Sequence, residues 1–143
     1  MATLKVEIVT PEAALWVGDA TALMARSSEG NFTVLPEHTA TVGDVVPSVV
    51  RVTTASGEIS FVVHGGYFQV GQSEAEDETL ATVLAGAAEL VTNIDVARAQ
   101  LAKEVAEAQL AVATKADQHD TPSYLIAHAA LQRAELRLRA ASK

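Results

Sequence analysis

The chain has 143 residues, a net charge of −8 at pH 7 and no cysteine. At that length one compact domain would bury roughly 68 to 70% of its unfolded surface, while the missing thiols exclude disulfide scaffolds, thiolate metal sites and cysteine nucleophiles and fit a reducing compartment. No leader pattern opens the sequence, no run of about 18 apolar residues occurs, and the acidic balance would repel a phosphate backbone, so a soluble cytoplasmic chain without a nucleic-acid partner is expected.

The first element is read over LKVEIVT, where Leu4, Val6 and Ile8 alternate with Lys5 and Glu7. A period of two marks a strand with one buried face. Short runs of the same kind follow at 21–26, 32–35, 49–54, 59–64, 67–70 and 79–84, separated by glycine-bearing turns such as SSEGN and ASGE. Many short strands with no helical pattern between them favour an antiparallel sandwich or barrel over a parallel sheet.

Within this region GGYFQVGQS, residues 65–73, comes close to a phosphate-cradling loop: from Gly66 it reads G-x-x-x-x-G-Q-S, with Gln72 where such a loop has lysine. A P-loop must lead from a strand into a helix whose N-terminal amides receive the phosphates. Here YFQV is itself strand-forming, and the acidic run Glu74, Glu76, Asp77, Glu78 follows directly. Gly65 and Gly66 are therefore read as a tight turn between strands, and the acids as a solvated turn. His38, His64, His119 and His128 lack metal-ligand spacing, and Ser27, Ser28 and Ser73 lack a nucleophile elbow, so neither a metal nor a catalytic residue is assigned.

Near residue 90 the character changes. All eight glycines lie at or before Gly86; residues 1–93 hold 12 acids against 3 bases, and residues 94–143 hold 6 against 7. T-N-I-D reads as a capping box, with the Thr92 hydroxyl on the Asp95 amide. Ile94, Ala97, Leu101, Val105, Ala108 and Val112 then recur every three or four residues, which predicts a helix packed through that stripe. The pattern stops at ADQHD and restarts at T-P-S, where Thr121 can cap and Pro122 suits the first helical position; Tyr124, Ala127, Leu131, Ala134 and Leu138 form the second stripe. The expected architecture is β + α: an antiparallel β-sandwich or barrel over 1–88, then an antiparallel helical hairpin over 93–143. Fourteen of the last 50 residues are alanine, so the helices form readily but bury little side-chain area.

The order LKVEIVTPEAALWVGDA, SSEGNFTVLPEH, VHGGYFQV and NIDVARA before an alanine-rich hairpin resembles the epsilon subunit of the F-type ATP synthase, called delta in mitochondria, over essentially the whole chain. The resemblance implies a flattened ten-stranded sandwich and two helices. It also implies a non-catalytic rotor part of the central stalk that couples c-ring rotation to ATP synthesis and restrains ATP hydrolysis through its helices. Its partners would be the gamma subunit, the c-ring, and the alpha and beta subunits of the catalytic head. Its place would be peripheral, on the cytoplasmic face of the bacterial plasma membrane, with membrane contact only through the complex.

Residue by residue, the resemblance implies c-ring contact for Glu29 and His38, which by themselves read as a hairpin-turn acid and a surface histidine. Thr33 and Glu37 stand where the family's loop has glycines. The motif I/L-D-x-x-R-A, through which some bacterial members of the family bind ATP, stands intact from Ile94 through Asp95 and Arg98 to Ala99, with Glu89 matching a further acid those members use, while Ile126 replaces their arginine that meets the phosphates. Asp95 and Arg98 read equally as a helix cap and its neighbour. No cofactor is implied beyond a weakly held regulatory ATP, and a nucleotide-sensing module is the alternative function; an enzyme working through the 65–73 stretch is a third. Arg133, Arg137 and Arg139 suit the negative end of the helix dipole, and the resemblance adds an inhibitory contact to the catalytic head.

Overall fold

The computed structural model describes residues 2–73, 77–115 and 122–141. Its contacts divide the chain into two compact units, residues 1–90 and 91–143. The first contains ten strands: β1 (Thr3–Val9), β2 (Ala14–Ala20), β3 (Ala22–Ser27), β4 (Gly30–Val34), β5 (Thr41–Val45), β6 (Ser48–Thr54), β7 (Gly57–Val63), β8 (Gly66–Gln72), β9 (Glu78–Ala85) and β10 (Ala88–Leu90). The second contains a 3-10 turn, Val91–Asn93, and helices α1 (Val96–Lys115) and α2 (Pro122–Ala141). The break read at ADQHD, the cap at Thr121, His119, Lys143 and the acids Glu74 and Glu76 lie outside the described residues.

The strands form two five-stranded sheets in the orders β2-β1-β9-β8-β5 and β10-β7-β6-β3-β4. Alternation dictates which side chains meet between them: Leu4, Val6, Ile8, Phe68, Val70, Ala81 and Val83 of the first sheet face Leu23, Val34, Val50, Val52, Phe61 and Val63 of the second. The rings of Phe32 and Phe68 stack across the core at 4.2 Å between centroids.

The sandwich departs from a purely antiparallel arrangement at one place, because β1 lies parallel to β9, in register from Thr3 with Glu78 to Val9 with Leu84. A parallel pair requires a long connection, and here the connection is the rest of the sandwich. Three strands, β2, β5 and β10, go beyond those read from alternation. β2 sits at a sheet edge against β1, with a register shift at Ile8/Val9. Gly65 and Gly66 do form a turn, with φ of 98° and 157°, but it passes the chain from one sheet to the other, since β7 and β8 do not pair.

Helix α1 corrects two expectations. Thr92 is not its cap, because Thr92 lies in the 3-10 turn that Ile94 N closes on Val91 O. Asp95 caps instead: its Oδ1 accepts from Arg98 N at 3.0 Å and its carbonyl accepts from Ala99 N at 2.9 Å, the pattern of an N-cap residue. The stripe of larger apolar residues does not form the seam either. Leu101, Val105 and Val112 are exposed, and the buried residues are Ala99, Ala106 and Ala113, one every seven residues. Helix α2 answers with Ala127 and Ala134 at the same spacing, both buried, flanked by half-buried Tyr124, Leu131 and Leu138. Alanine on facing helices permits the close end of the roughly 8–10 Å range of interaxial distances, and the described buried positions of α1 are all alanines.

Candidate functional site

Four places carry the residues singled out in the sequence. The first is the β3–β4 turn. Ser27 Oγ accepts from Glu29 N at 3.1 Å and donates to Gly30 O at 3.1 Å, while Ser28 gives both its amide and its hydroxyl to the Asp44 carboxylate at 3.0 Å. The turn is thus fastened to β5 of the other sheet, leaving the Glu29 carboxylate exposed. Asp44 is a supporting residue that sequence reasoning missed, because it acts on a turn 16 residues away that nothing local in TVGDV marks.

The second is the loop after β4. Glu37 has φ 72°, a left-handed conformation that a non-glycine residue adopts at a cost. Its amide is held at 2.8 Å by the hydroxyl of Thr79, which is buried on β9. Of the two positions where glycine was expected, only Glu37 carries a backbone demand. Thr33 is an ordinary ladder residue opposite Met24. His38 N closes a turn on Leu35 O at 3.1 Å, and its Nδ1 lies 2.8 Å from Thr39 O. Glu29 and His38 stand at opposite ends of β4, whose five residues span about 17 Å at ~3.4 Å each. The structure does not gather them into one point; they mark the two ends of one sandwich edge.

The third is the 65–73 stretch. Gly66 to Gln72 is strand β8 throughout, paired on one side with β9 and on the other with β5. Among the described residues no helix follows to aim amides at a phosphate; Ser73 N donates to Glu78 O at 2.9 Å, beside the first residue of β9. A Cβ at Gly66 would collide with Leu84 O and lie 2.9 Å from Ala85 Cα. The glycine is required by the close approach of two backbones.

The fourth is the pair of polar sets on either side of residue 90. His64, at the exit of β7, has its amide on Ala87 O at 2.9 Å, and its buried Nε2 is 3.7 Å from Glu89 Oε1 on β10. Ile94 is half-buried at the hairpin base. Asp95 is committed to the helix cap, whereas the Arg98 guanidinium is exposed and has no ion-pair partner among the described residues. Along α2, Ile126 is exposed, Arg133 and Arg139 are exposed, Arg137 is half-buried, and Arg139 lies in the last turn. Among the described residues no group of three or more His, Asp or Glu side chains could hold a metal ion. No helix among them is long and apolar enough to cross a membrane.

Comparison with known proteins gives a consistent picture. Residues 3–90 match the family model described as ATP synthase, Delta/Epsilon chain, beta-sandwich domain, and residues 92–142 match ATP synthase, Delta/Epsilon chain, long alpha-helix domain. The ATP synthase epsilon chain of Ruminococcus albus is 32% identical over 143 residues, covering 100% of this chain and 99% of that one. That of Thermobifida fusca is 41% identical over 107 residues, covering 73% and 74%. That of Alkalihalophilus pseudofirmus is 36% identical over 110 residues, covering 77% and 78%. Among solved structures, a chain of the Euglena gracilis mitochondrial ATP synthase OSCP/F1/c-ring assembly superposes with a TM-score of 0.77 at 22% identity, covering 100% of this chain and 83% of that one, a likeness of fold.

Proposed function

Because the chain belongs to the ATP synthase delta/epsilon chain family, we propose that it is a central-stalk rotor subunit of an F-type ATP synthase. It has no catalysis of its own. In this reading the sandwich joins the gamma subunit to the c-ring, and the hairpin restrains ATP hydrolysis by the catalytic head of alpha and beta subunits. The observation that carries it is the succession of both family domains, in order, over nearly the whole chain. Since the curated relatives named above are bacterial, the subunit would sit on the cytoplasmic face of the plasma membrane, peripheral and attached through the complex.

The edge of the sandwich between Glu29 and His38 is the proposed ring-facing part. Both ends are anchored, one by Asp44 and one by Thr79, so the contact surface is held by the core rather than by loose loops. The brake is assigned to Arg133, Arg137 and Arg139 acting on acidic groups of the head. Only a few kcal/mol commonly separate two arrangements of such an arm, so several charge pairs suffice to shift the balance.

The test is ATP hydrolysis by reconstituted complexes containing full-length subunit, subunit lacking residues 93–143, or Arg133→Ala with Arg137→Ala. Truncation is expected to raise the rate and the double substitution to reproduce part of the rise, with assembly on gamma intact. Equal rates in all three would remove the brake; a truncated chain unable to bind gamma would remove the anchoring role of the sandwich.

A second reading, weak regulatory ATP binding at Glu89, Ile94, Asp95 and Arg98, is favoured by the exposed Arg98 guanidinium, which has no ion-pair partner among the described residues. It is opposed by the work Asp95 already does as a cap and by Ile126 in place of a cation.

A further inference from the structure

His64 is a titratable side chain that none of the roles above uses. It follows the last residue of β7 and lies on the same side as Val62. Only 6% of its side chain is exposed, and Val62 beside it is fully buried. Glu89 of β10 stands opposite Val62 in the ladder, so imidazole and carboxylate meet diagonally across the two strands, with Nε2 3.7 Å from Oε1. The backbone closes the same corner: His64 N donates to Ala87 O at 2.9 Å and Gly86 N to Gly65 O at 3.1 Å, with Pro47 beside Gly65. Residues 46–48, 65–66 and 86–88, which wall this corner, carry no titratable side chain. The charge set against the imidazole across the ladder is that of Glu89, whose side chain is 30% exposed.

The strand that carries Glu89 has little else to hold it. β10 is three residues long, lies at a sheet edge with β7 as its neighbour, and has no fully buried residue. It is also the last strand before the chain passes into the second unit at residue 91. A short edge strand opens at low cost, so one added contact weighs heavily. Imidazole is the side chain whose charge changes between about pH 5 and 8. While the ring is neutral, its contact with Glu89 at 3.7 Å is too long for a hydrogen bond. Once the ring is protonated, two opposite charges face each other in a poorly hydrated corner, where their attraction exceeds its value in water several-fold. Lifting β10 would then leave a buried imidazolium without this counter-charge, a costly arrangement.

We infer that His64 and Glu89 form a pH-sensitive latch on β10: a proton on the imidazole ties the strand to β7, and its loss loosens the strand from which the helical unit continues. Because the closed arrangement favours the proton, closure strengthens as pH falls through the imidazole range and weakens as pH rises through it. The latch is a property of the chain itself and needs no partner, so it stands or falls independently of the rotor reading.

The experiment is amide hydrogen exchange on the full-length chain, resolved by NMR at pH 5.5 and pH 7.5, with each rate divided by the intrinsic rate at that pH. Wild type is compared with Glu89→Gln, with His64→Gln, and with His128→Gln, a control at an exposed histidine of α2. In wild type, protection of the amides of residue 64 and residues 86–90 is expected to be about tenfold greater at pH 5.5 than at pH 7.5, while amides of β1 and β6 keep one ratio to each other. Glu89→Gln and His64→Gln should each abolish the rise, and His128→Gln should retain it. Trp16 fluorescence during unfolding checks that each variant folds. If His64→Gln does not, Glu89→Gln, at the more exposed partner, decides alone. Equal protection of these amides at the two pH values in wild type would overturn the latch. So would a rise that persists in Glu89→Gln, or a loosening at pH 5.5, which would show that burial of the imidazolium outweighs its attraction to Glu89.

Discussion

Replacing Gly66 with alanine gives the most direct check on why the 65–73 stretch looks like a nucleotide loop and is not one. The new Cβ would press on Leu84 O, with Ala85 Cα at 2.9 Å and Leu84 C at 3.0 Å. These are backbone atoms of the adjacent strand, fixed by the pairing of Gly66 with Ala85, so they cannot yield as a side chain would. Forced contact of this kind costs about 1–3 kcal/mol. The φ of 157° belongs to a region nearly confined to glycine, which adds about 1–3 kcal/mol. A combined loss near 3 kcal/mol would lower the melting midpoint of a sandwich of this size by roughly 12–24 °C. Gly71, the other glycine of the pseudo-motif, has nothing within 4 Å of a Cβ, and alanine there should be neutral or gain about 0.5 kcal/mol. The single tryptophan, Trp16, lies 6.4 Å from Phe61 in the sandwich, so its fluorescence follows that unit during thermal unfolding of the full chain. Equal midpoints for wild type and Gly66→Ala, or equal damage from both substitutions, would refute the close-approach argument. ATP hydrolysis by the isolated chain that either glycine substitution abolished would revive the loop.

Asp95→Ala should cost the hairpin about 1 kcal/mol through loss of the N-cap, read as reduced helicity at 222 nm, whereas Thr92→Ala should leave it unchanged. Glu37→Gly should relieve about 1–2 kcal/mol of left-handed strain and lose about 0.5–1 kcal/mol to glycine's freedom in the unfolded chain, for a net gain near 0.5 kcal/mol in urea unfolding; Thr33→Gly, in a strand, should destabilise by about 1 kcal/mol. ATP should bind the full-length chain no more tightly than the millimolar range by calorimetry. Ile126→Arg, at a side chain 66% exposed with no packing to lose, should strengthen that binding by about tenfold or more, since a charge-assisted bond contributes roughly 1.5–3 kcal/mol.

The strands whose inward residues are large and regularly spaced, such as Leu4, Val6 and Ile8 on β1 or Val50 and Val52 on β6, were legible from alternation alone. Strand β5 was not, because Gly43 occupies an inward position where the Phe68 ring, 2.5 Å from a built Cβ, fills the space. Nor was β10, which is only three residues long. The β1–β9 pairing depends on two segments at opposite ends of the unit, and no local pattern encodes that register. On α1 the sequence misdirects: bulk suggested Leu101, Val105 and Val112 as the seam, while the buried residues are alanines that merge with an alanine-rich background. Of the candidate site residues, Asp95 was legible as a capping acid. The supports of the other sites, Asp44 and Thr79, act across the sandwich on turns distant in sequence, which local reasoning does not reach.

The parallel register of β1 on β9 also has a consequence for biosynthesis. Strand β1 can pair with β2 almost as soon as both leave the ribosome, but the partner of Leu4 on its other side is Thr79. At ~5–20 residues per second that flank stays open for several seconds, an unpaired edge with Val6 and Ile8 beside it. The sandwich can close only when β9 has emerged, after nearly all of its own unit has been translated, and long-range pairings of this kind fold slowly. The helices follow the sandwich in the chain, so their synthesis gives the sandwich further time to close.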